Sequence, residues 1–199
     1  MRTLTIMLAL ALVLSVGAVA QEYIMNGDFE SSSDGWLFGG GMAIQGAGAW
    51  SIPFTPGGTE SEWAGLITSW GASAATAEQM AFAENGNYTL SFAYYLGAHH
   101  AGDIRVVDMQ VFFNDVVVFN QSQNSTGGWA GDFAWQFASI PVTVTGDIGK
   151  VNIQMNSHWA EWSWLGVDDV SLTPVVPEPA SMLALGAGLV GLLGFRRRK

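Results

Sequence analysis

The feature that most constrains this chain is a two-residue period. In Tyr88-Thr89-Leu90-Ser91-Phe92-Ala93-Tyr94 large side chains recur at every second position, and the alternation returns at Ile140 to Val144 and Val151-Asn152-Ile153-Gln154-Met155. Successive side chains of a strand point to opposite faces, so this period builds a half-buried sheet and not one face of a helix. Denser apolar runs, Met109 to Phe113 and Val116 to Phe119, flank Asn114-Asp115. Two turn-forming residues between β-rich runs predict a hairpin. Glu84-Asn85-Gly86-Asn87 is a turn ahead of the Tyr88 strand. Trp63 to Thr68, Glu78 to Phe82 and Val167 to Leu172 supply further strands, while Gly39 to Gly48 and Thr55 to Thr59 read as Gly/Pro-rich loops. Helix is expected nowhere in the body except as a short turn around Ser73 to Ala77. Roughly eight to ten short strands in such a body suggest an all-β fold, an antiparallel jelly-roll β-sandwich.

The two ends carry different chemistry. Met1-Arg2 precedes an apolar run from Leu4 to Val19, closed by Ala18-Val19-Ala20. A basic start, an apolar centre and small residues at −3 and −1 make a Sec signal peptide, residues 1–20. The other end reads Val176-Pro177-Glu178-Pro179, then an apolar run from Ala180 to Phe195, then Arg196-Arg197-Arg198-Lys199. A helix over that run spans about 24 Å at 1.5 Å per residue. Snorkelling arginines extend its reach, so it can serve as a single transmembrane helix with its basic stub in the cytoplasm. The body between the ends, residues 21–175, is the β-sandwich domain. This tripartite tail, residues 176–199, resembles the PEP-CTERM sorting signal, with Pro177, Glu178 and Pro179 as the sorting motif. The resemblance implies a Gram-negative bacterium that secretes exopolysaccharide. It implies transient anchoring in the inner membrane, with signal peptidase and exosortase as processing partners. The destination implied is the cell surface or the extracellular matrix.

Without its ends the chain changes character. Residues 21–176 keep two basic residues, Arg105 and Lys150, against 16 acids, a net charge of −14. Nucleic acid is excluded as a partner, because neutralising phosphates needs a Lys/Arg surface. The chain has no Cys, so disulfides and thiolate metal sites are excluded as well.

The start of the body, Met25-Asn26-Gly27-Asp28-Phe29-Glu30 with Trp36 following, resembles that of carbohydrate-binding modules with the galactose-binding-like jelly roll. Its close, Gly166-Val167-Asp168-Asp169-Val170-Ser171-Leu172, resembles their last strand, and Asn85 to Phe92 matches an intervening one. In such modules a structural Ca2+ often joins an acid of the first strand to an Asp of the last, and Glu30 and Asp168 are the matching positions. Strand parity puts Asp168 on one face with Val170 and Leu172, and Asp169 on the other. A carboxylate beside a core face needs compensation, which Ca2+ would supply and backbone N–H groups could supply equally.

Aromatic residues are the other candidate chemistry. All nine Trp lie between Trp36 and Trp164. Trp36 and Trp135 sit in strand-like contexts and are expected in the core. Trp129 follows a Ser-Thr-Gly-Gly stretch, and Trp159, Trp162 and Trp164 crowd together after Asn156-Ser157-His158. An indole in such a setting can stack on a sugar ring while polar neighbours bind its hydroxyls. Asn120, Gln121, Gln123 and Asn124 supply those groups near Trp129. Trp129, Trp162, Trp159 and Asn124 are the expected ligand-binding residues. No nucleophile elbow or zinc-protease helix is present in the sequence, and His99-His100 with Asp103 reads as a solvated loop. No catalytic residue is expected. The chain reads as a non-catalytic surface or matrix protein that binds extracellular polysaccharide, the alternatives being a structural or adhesive protein of the same fold without a sugar site and, behind it, a glycan-active enzyme.

Overall fold

The computed structural model describes residues 21–46, 62–130 and 134–175, with only the backbone for 69–71, 100–106, 125–130 and 159–161. The signal peptide, the Thr55 to Thr59 loop, Pro177-Glu178-Pro179 and the Ala180 to Phe195 helix lie outside the described residues. Among the described residues there are seven strands and no helix. They are β1 (Leu37–Gly40), β2 (Ala43–Gln45), β3 (Trp63–Ala81), β4 (Gly86–Phe113), β5 (Val116–Ala130), β6 (Gln136–Val144) and β7 (Gly149–Pro174).

Three of these strands are long because each serves two sheets. The ladder order is β1-β3-β7-β4-β5, with β2 added on β3 and β6 on β4, all antiparallel. The β4–β7 ladder is interrupted between His99 and Val107, and the β3–β7 ladder shifts between Gly71 and Ser73. On one side of these breaks lies a front sheet, made of β2, residues 63–69 of β3, 162–174 of β7, 86–99 of β4, and β6. On the other side lies a back sheet of β1, residues 73–81 of β3, 149–157 of β7, 107–113 of β4, and 116–123 of β5, whose residues 128–130 go on to pair with 98–100 of β4. The two antiparallel sheets are consistent with a jelly-roll sandwich, and the body from Glu22 to Pro174 forms one compact unit.

The alternation seen in the sequence fills the space between the sheets. Leu90, Phe92, Tyr94 and Leu96 of the front sheet join Val107, Met109, Val111, Val151, Ile153 and Met155 of the back sheet in one buried cluster. Burying each large apolar side chain contributes about 1.5–3 kcal/mol. Asn114 and Asp115 both adopt positive φ (48° and 64°), the type I′ pattern of the predicted hairpin. Two expectations fail. Ser73 to Ala77 is strand, because alternate Ala75 and Ala77 are buried against the core. Within Gly39 to Gly48, the stretches ending at Gly40 and Gln45 are edge strands β1 and β2, which glycine permits where the chain lies flat on β3.

The segment from Met25 to Trp36 closes one end of the sandwich. Asn26 (φ 48°) organises it: its Oδ1 accepts the Ser31 N–H (2.9 Å) and its Nδ2 donates to the Ser32 carbonyl (2.8 Å). The Trp36 indole N–H donates to the Asn26 carbonyl (3.0 Å), and Phe29 and Trp36 pack together in the core as expected. Gly27 must be glycine, because a Cβ there would stand 1.8 Å from the Val170 carbonyl oxygen.

Candidate functional site

The outer face of the front sheet is built like a second core. Ala64, Leu66, Leu165 and Val167 point inward, so Trp63, Ile67, Trp164 and Gly166 point outward from the same strands. Across the strands, Gly65 pairs with Gly166 and Gly166 with Tyr95, and the missing side chains leave a trough. Trp63 fills it. A Cβ on Gly65 would lie 2.1 Å from the Trp63 ring, and one on Gly166 would lie 2.8 Å from it. Trp135 stands edge-on to Trp63 (centroids 5.9 Å, 76°) and tilted on Tyr95 (5.8 Å). Trp63, Tyr95 and Trp164 are buried here, and burial pushes the Tyr95 hydroxyl above its ordinary pKa. Trp135 therefore belongs to this outer cluster and not to the core between the sheets.

Above this aromatic floor runs a row with a different exposure. Ser69 of β3 pairs with Trp162 of β7, Trp162 with His99 of β4, and His99 with Trp129 of β5. Trp162 and His99, directly paired on antiparallel strands, project from the same face. Two of the tryptophans selected from the sequence, 33 positions apart, thus share one cross-strand row with a histidine between them. Trp162 is 36% exposed, against 8% for Trp164 one pair below it. His99 lies within β4 and is half-buried, so the loop expected there is a strand. The side chains of Trp129 and Trp159 are outside the described residues. Asn124 lies elsewhere: with Asn120 and Ser122 it follows the two-residue period of β5, on the outer face of the back sheet.

The acidic positions are arranged by a bulge. Ser91 faces Ser171 and Ala93 faces Asp168, so Asp169 and Val170 together stand opposite Phe92. Asp169 takes the extra turn at φ 51°, and the Val170 N–H is left to donate to the Gly27 carbonyl (2.9 Å). One added residue reverses parity. Val167 and Val170 both reach the core, and Asp168 stands with Gly166 and Trp164 on the outer side, not with Val170 and Leu172 as simple alternation suggests. Asp168 is fully buried, and its Oδ1 accepts the Asp169 N–H (2.8 Å). Glu30 is exposed, and its Oε1 accepts the Glu62 N–H (2.8 Å). The charges gathered around Asp169 are those of Asp28 and Glu30. Desolvation first, and then these two carboxylates, hold the Asp169 carboxyl above the usual range. The donors are all oxygen, which suits Ca2+. Among the described residues, however, no three acidic or imidazole side chains stand at metal-holding separation, so backbone carbonyls would have to complete any such site.

A further cluster escaped the sequence reading. His158, isolated in the sequence, places Nε2 2.6 Å from Asp108 Oδ2, while Asn156 Nδ2 donates to Asp108 Oδ1 (2.8 Å). The one available signal was the lone acid beside the apolar run from Met109 to Phe113.

Residues 175–199 match the PEP-CTERM protein-sorting motif, which indicates export and sorting to the cell surface. Comparison with curated proteins gives no match. Among solved structures, the body is similar to TmCBM61 solved in complex with β-1,4-galactotriose. The two share 16% identity over 77% of this chain and 99% of that one, with a TM-score of 0.54. A family 35 carbohydrate-binding module from Clostridium thermocellum is 14% identical over 75% of this chain and 98% of its own, at a TM-score of 0.39. An arabinose-bound α-L-arabinofuranosidase, MgGH51, is 12% identical, with a TM-score of 0.49. That match covers 82% of this chain but 28% of the enzyme. The chain thus carries a PEP-CTERM sorting motif behind a body with the β-sandwich fold of carbohydrate-binding modules.

Proposed function

We propose that this protein is an exported, exosortase-processed surface or matrix protein that binds a neutral polysaccharide without acting on it. The observation that carries the reading is the cross-strand pair of Trp162 and His99, on the same outer face as the buried cluster of Trp164, Tyr95 and Trp63. A half-exposed indole on a paired strand offers a flat apolar surface, and a histidine beside it can bond a hydroxyl. The charge of −14 on residues 21–176 repels polyanions, which favours a neutral or cationic glycan. Shallow stacking of this kind binds in the micromolar to millimolar range, about 4–8 kcal/mol, and repetition along a polymer raises avidity. Calorimetry against a panel of neutral oligosaccharides, beginning with β-1,4-galactotriose, tests this. Trp162→Ala and Trp129→Ala are expected to abolish binding with the melting temperature unchanged. Binding that survives both substitutions refutes the site.

The alternative, a structural or adhesive matrix protein without a sugar site, is favoured by the burial of Trp63 and Trp164, since indoles in a packed cluster have no ring face left for a ligand. Absence of binding to every glycan decides for it. On the export reading, exosortase of a Gram-negative host removes the tail after transient anchoring in the inner membrane. Intact-mass spectrometry of the native surface fraction then finds a species near residues 21–176. Recovery of tail-bearing protein alone, with the protease present, refutes that step. We also assign the acidic group around Glu30, Asp168 and Asp169 as the place for a structural Ca2+, which would relieve the repulsion from Asp28 and Glu30 on Asp169. Melting should then rise with Ca2+, by about 2.7 kcal/mol of stability at a hundredfold excess over Kd. Unchanged melting in millimolar Ca2+ counts against it.

A further inference from the structure

The outer face of the back sheet has a composition that the reading above does not use. Its cross-strand rows follow from register. One runs Leu37–Glu78–Asn152–Phe112–Val117, the next Gly39–Thr76–Gln154–Gln110–Asn120, and the third Ala74–Asn156–Asp108–Ser122. The intervening residues Ala75, Ala77, Val151, Ile153, Met155, Val107, Met109 and Val111 are buried in the core, which fixes the outward direction of the rows.

We propose that this face is a second glycan-binding site, for an extended neutral polysaccharide chain lying across β3, β7, β4 and β5. It shares with the proposed function only the idea of a glycan partner and uses no residue of the Trp162 row.

Three observations carry the assignment. The first is charge. In a body of net −14, this face holds two carboxylates, and each is engaged by an asparagine amide: Asn152 Nδ2 donates to Glu78 Oε2 (2.9 Å), and Asn156 Nδ2 to Asp108 Oδ1 (2.8 Å). His158 stands on the second oxygen of Asp108. An ordinary solvated sheet face carries dispersed free charges, which keep it soluble and unpaired. Here the acids are few and held.

The second observation is unused hydrogen-bonding capacity. Among the described residues, Thr76, Gln154, Gln110 and Asn120 make no side-chain hydrogen bond, although they stand side by side in the central row. An amide offers two donors and an acceptor, and a sugar hydroxyl both donates and accepts, so a row of amides can bond a polyhydroxylated chain in either direction. Ionised phosphate and carboxylate groups have no donors for the amide oxygens, so hydroxyls are the groups that use the row fully.

The third is geometry. Gly39 leaves the β1 end of the row open, and a Cβ there would come within 2.6 Å of Thr76 Oγ1. Neighbouring strands repeat at about 4.8 Å, close to the length of one pyranose residue, so successive amides meet successive sugars. Phe112, partly buried beside Asn152, gives a ring edge for the apolar side of the chain.

The test is affinity electrophoresis of the full chain in mild detergent, through gels holding β-1,4-galactan, dextran or hydroxyethylcellulose. Calorimetry with β-1,4-galactotriose runs in parallel. The wild type should be retarded in at least one gel. Trp162→Ala should keep much of that retardation. Q110A/Q154A should weaken polymer binding at least tenfold and leave any trisaccharide affinity at the Trp162 row unchanged. Loss of trisaccharide binding in Trp162→Ala with no effect of Q110A/Q154A on the polymer overturns this inference and leaves the Trp162 site standing. Retardation abolished by Q110A/Q154A alone, with no trisaccharide bound, supports this face and removes the other site. Free migration of the wild type in all three gels overturns the inference. So does a dimer in sedimentation velocity that Q110A/Q154A dissolves, because the face would then dock a second copy. If the double variant melts early, Asn120→Ala on the edge strand replaces it; a threefold weaker polymer affinity is expected, and unchanged affinity overturns the inference.

Discussion

The two outer faces of this sandwich stand on the same three long strands and have opposite chemistry. On the front sheet, glycines at positions 65, 97 and 166 make room for Trp63, Tyr95 and Trp164, and the face buries itself. On the back sheet, Thr76, Gln154, Gln110 and Asn120 form a central row without side-chain hydrogen bonds among the described residues, between rows whose Asn152 and Asn156 amides bond Glu78 and Asp108. An exposed sheet face can therefore become a small second core when cross-strand glycines let large rings lie flat. It stays a polar face when the central outward positions carry amides and hydroxyls of middling size.

The sharpest way to break this contrast is Trp63→Ala. If the front face is a second core, denaturant unfolding should show a loss of about 3–5 kcal/mol, the cost of deleting a large buried aromatic. A loss below about 1 kcal/mol would make Trp63 a surface residue. Gly166→Ala comes next. Its Cβ would meet Trp63 at 2.8 Å and Trp135 at 3.0 Å, so overpacking should cost about 1–3 kcal/mol and lower the melting temperature.

Asp169→Asn tests the acidic group behind the front face. Its carboxyl is held above the ordinary aspartate range in the folded state. Below that ordinary pKa both states are protonated and the group costs nothing. As pH rises past it, the unfolded chain ionises first, and the cost to stability is complete above the raised folded value. The substitution should stabilise at pH 7 and lose most of that gain near pH 3, with an effect below about 1 kcal/mol for so open a group. Thermal melts at the two pH values check it. Calcium that fills the site would cancel the gain at pH 7. The smallest effect is expected on the back face, where Gln154→Ala should stay within about 0.5 kcal/mol of wild type by the same unfolding measurement.

Much of this architecture was legible in the sequence. The alternation at Tyr88 to Tyr94 and Val151 to Met155 marked strands whose inward residues are those buried, and Asn114-Asp115 marked the hairpin. Phe29 and Trp36 could be placed in the core from the motif around them. What could not be read was register. Nothing local says that Trp129 will pair with His99 and His99 with Trp162, since that pairing sums strand lengths and bulges over many residues. The bulge at Asp169 shows the cost of missing one residue, for it alone reverses the face on which Asp168 stands. The Asp108–His158 contact was hidden for the same reason: its partners lie 50 residues apart.

The continuity of β7 has a mechanical meaning. This strand lies between β3 and β4 along both sheets, carries Trp162 partway along its length, and runs on into the segment that bears the sorting motif. On the proposed reading, tension between a glycan held at Trp162 and whatever holds the C-terminal end of β7 would travel along about 40 Å of one backbone, at roughly 3.3 Å per residue. Hydrogen-bond ladders on both flanks would take that load in shear, many bonds at once, where a peripheral strand would open bond by bond. Resistance to pulling is set by the rate of unfolding and not by equilibrium stability. A fold loaded through its central strand would thus hold under tension even where its thermal stability is ordinary.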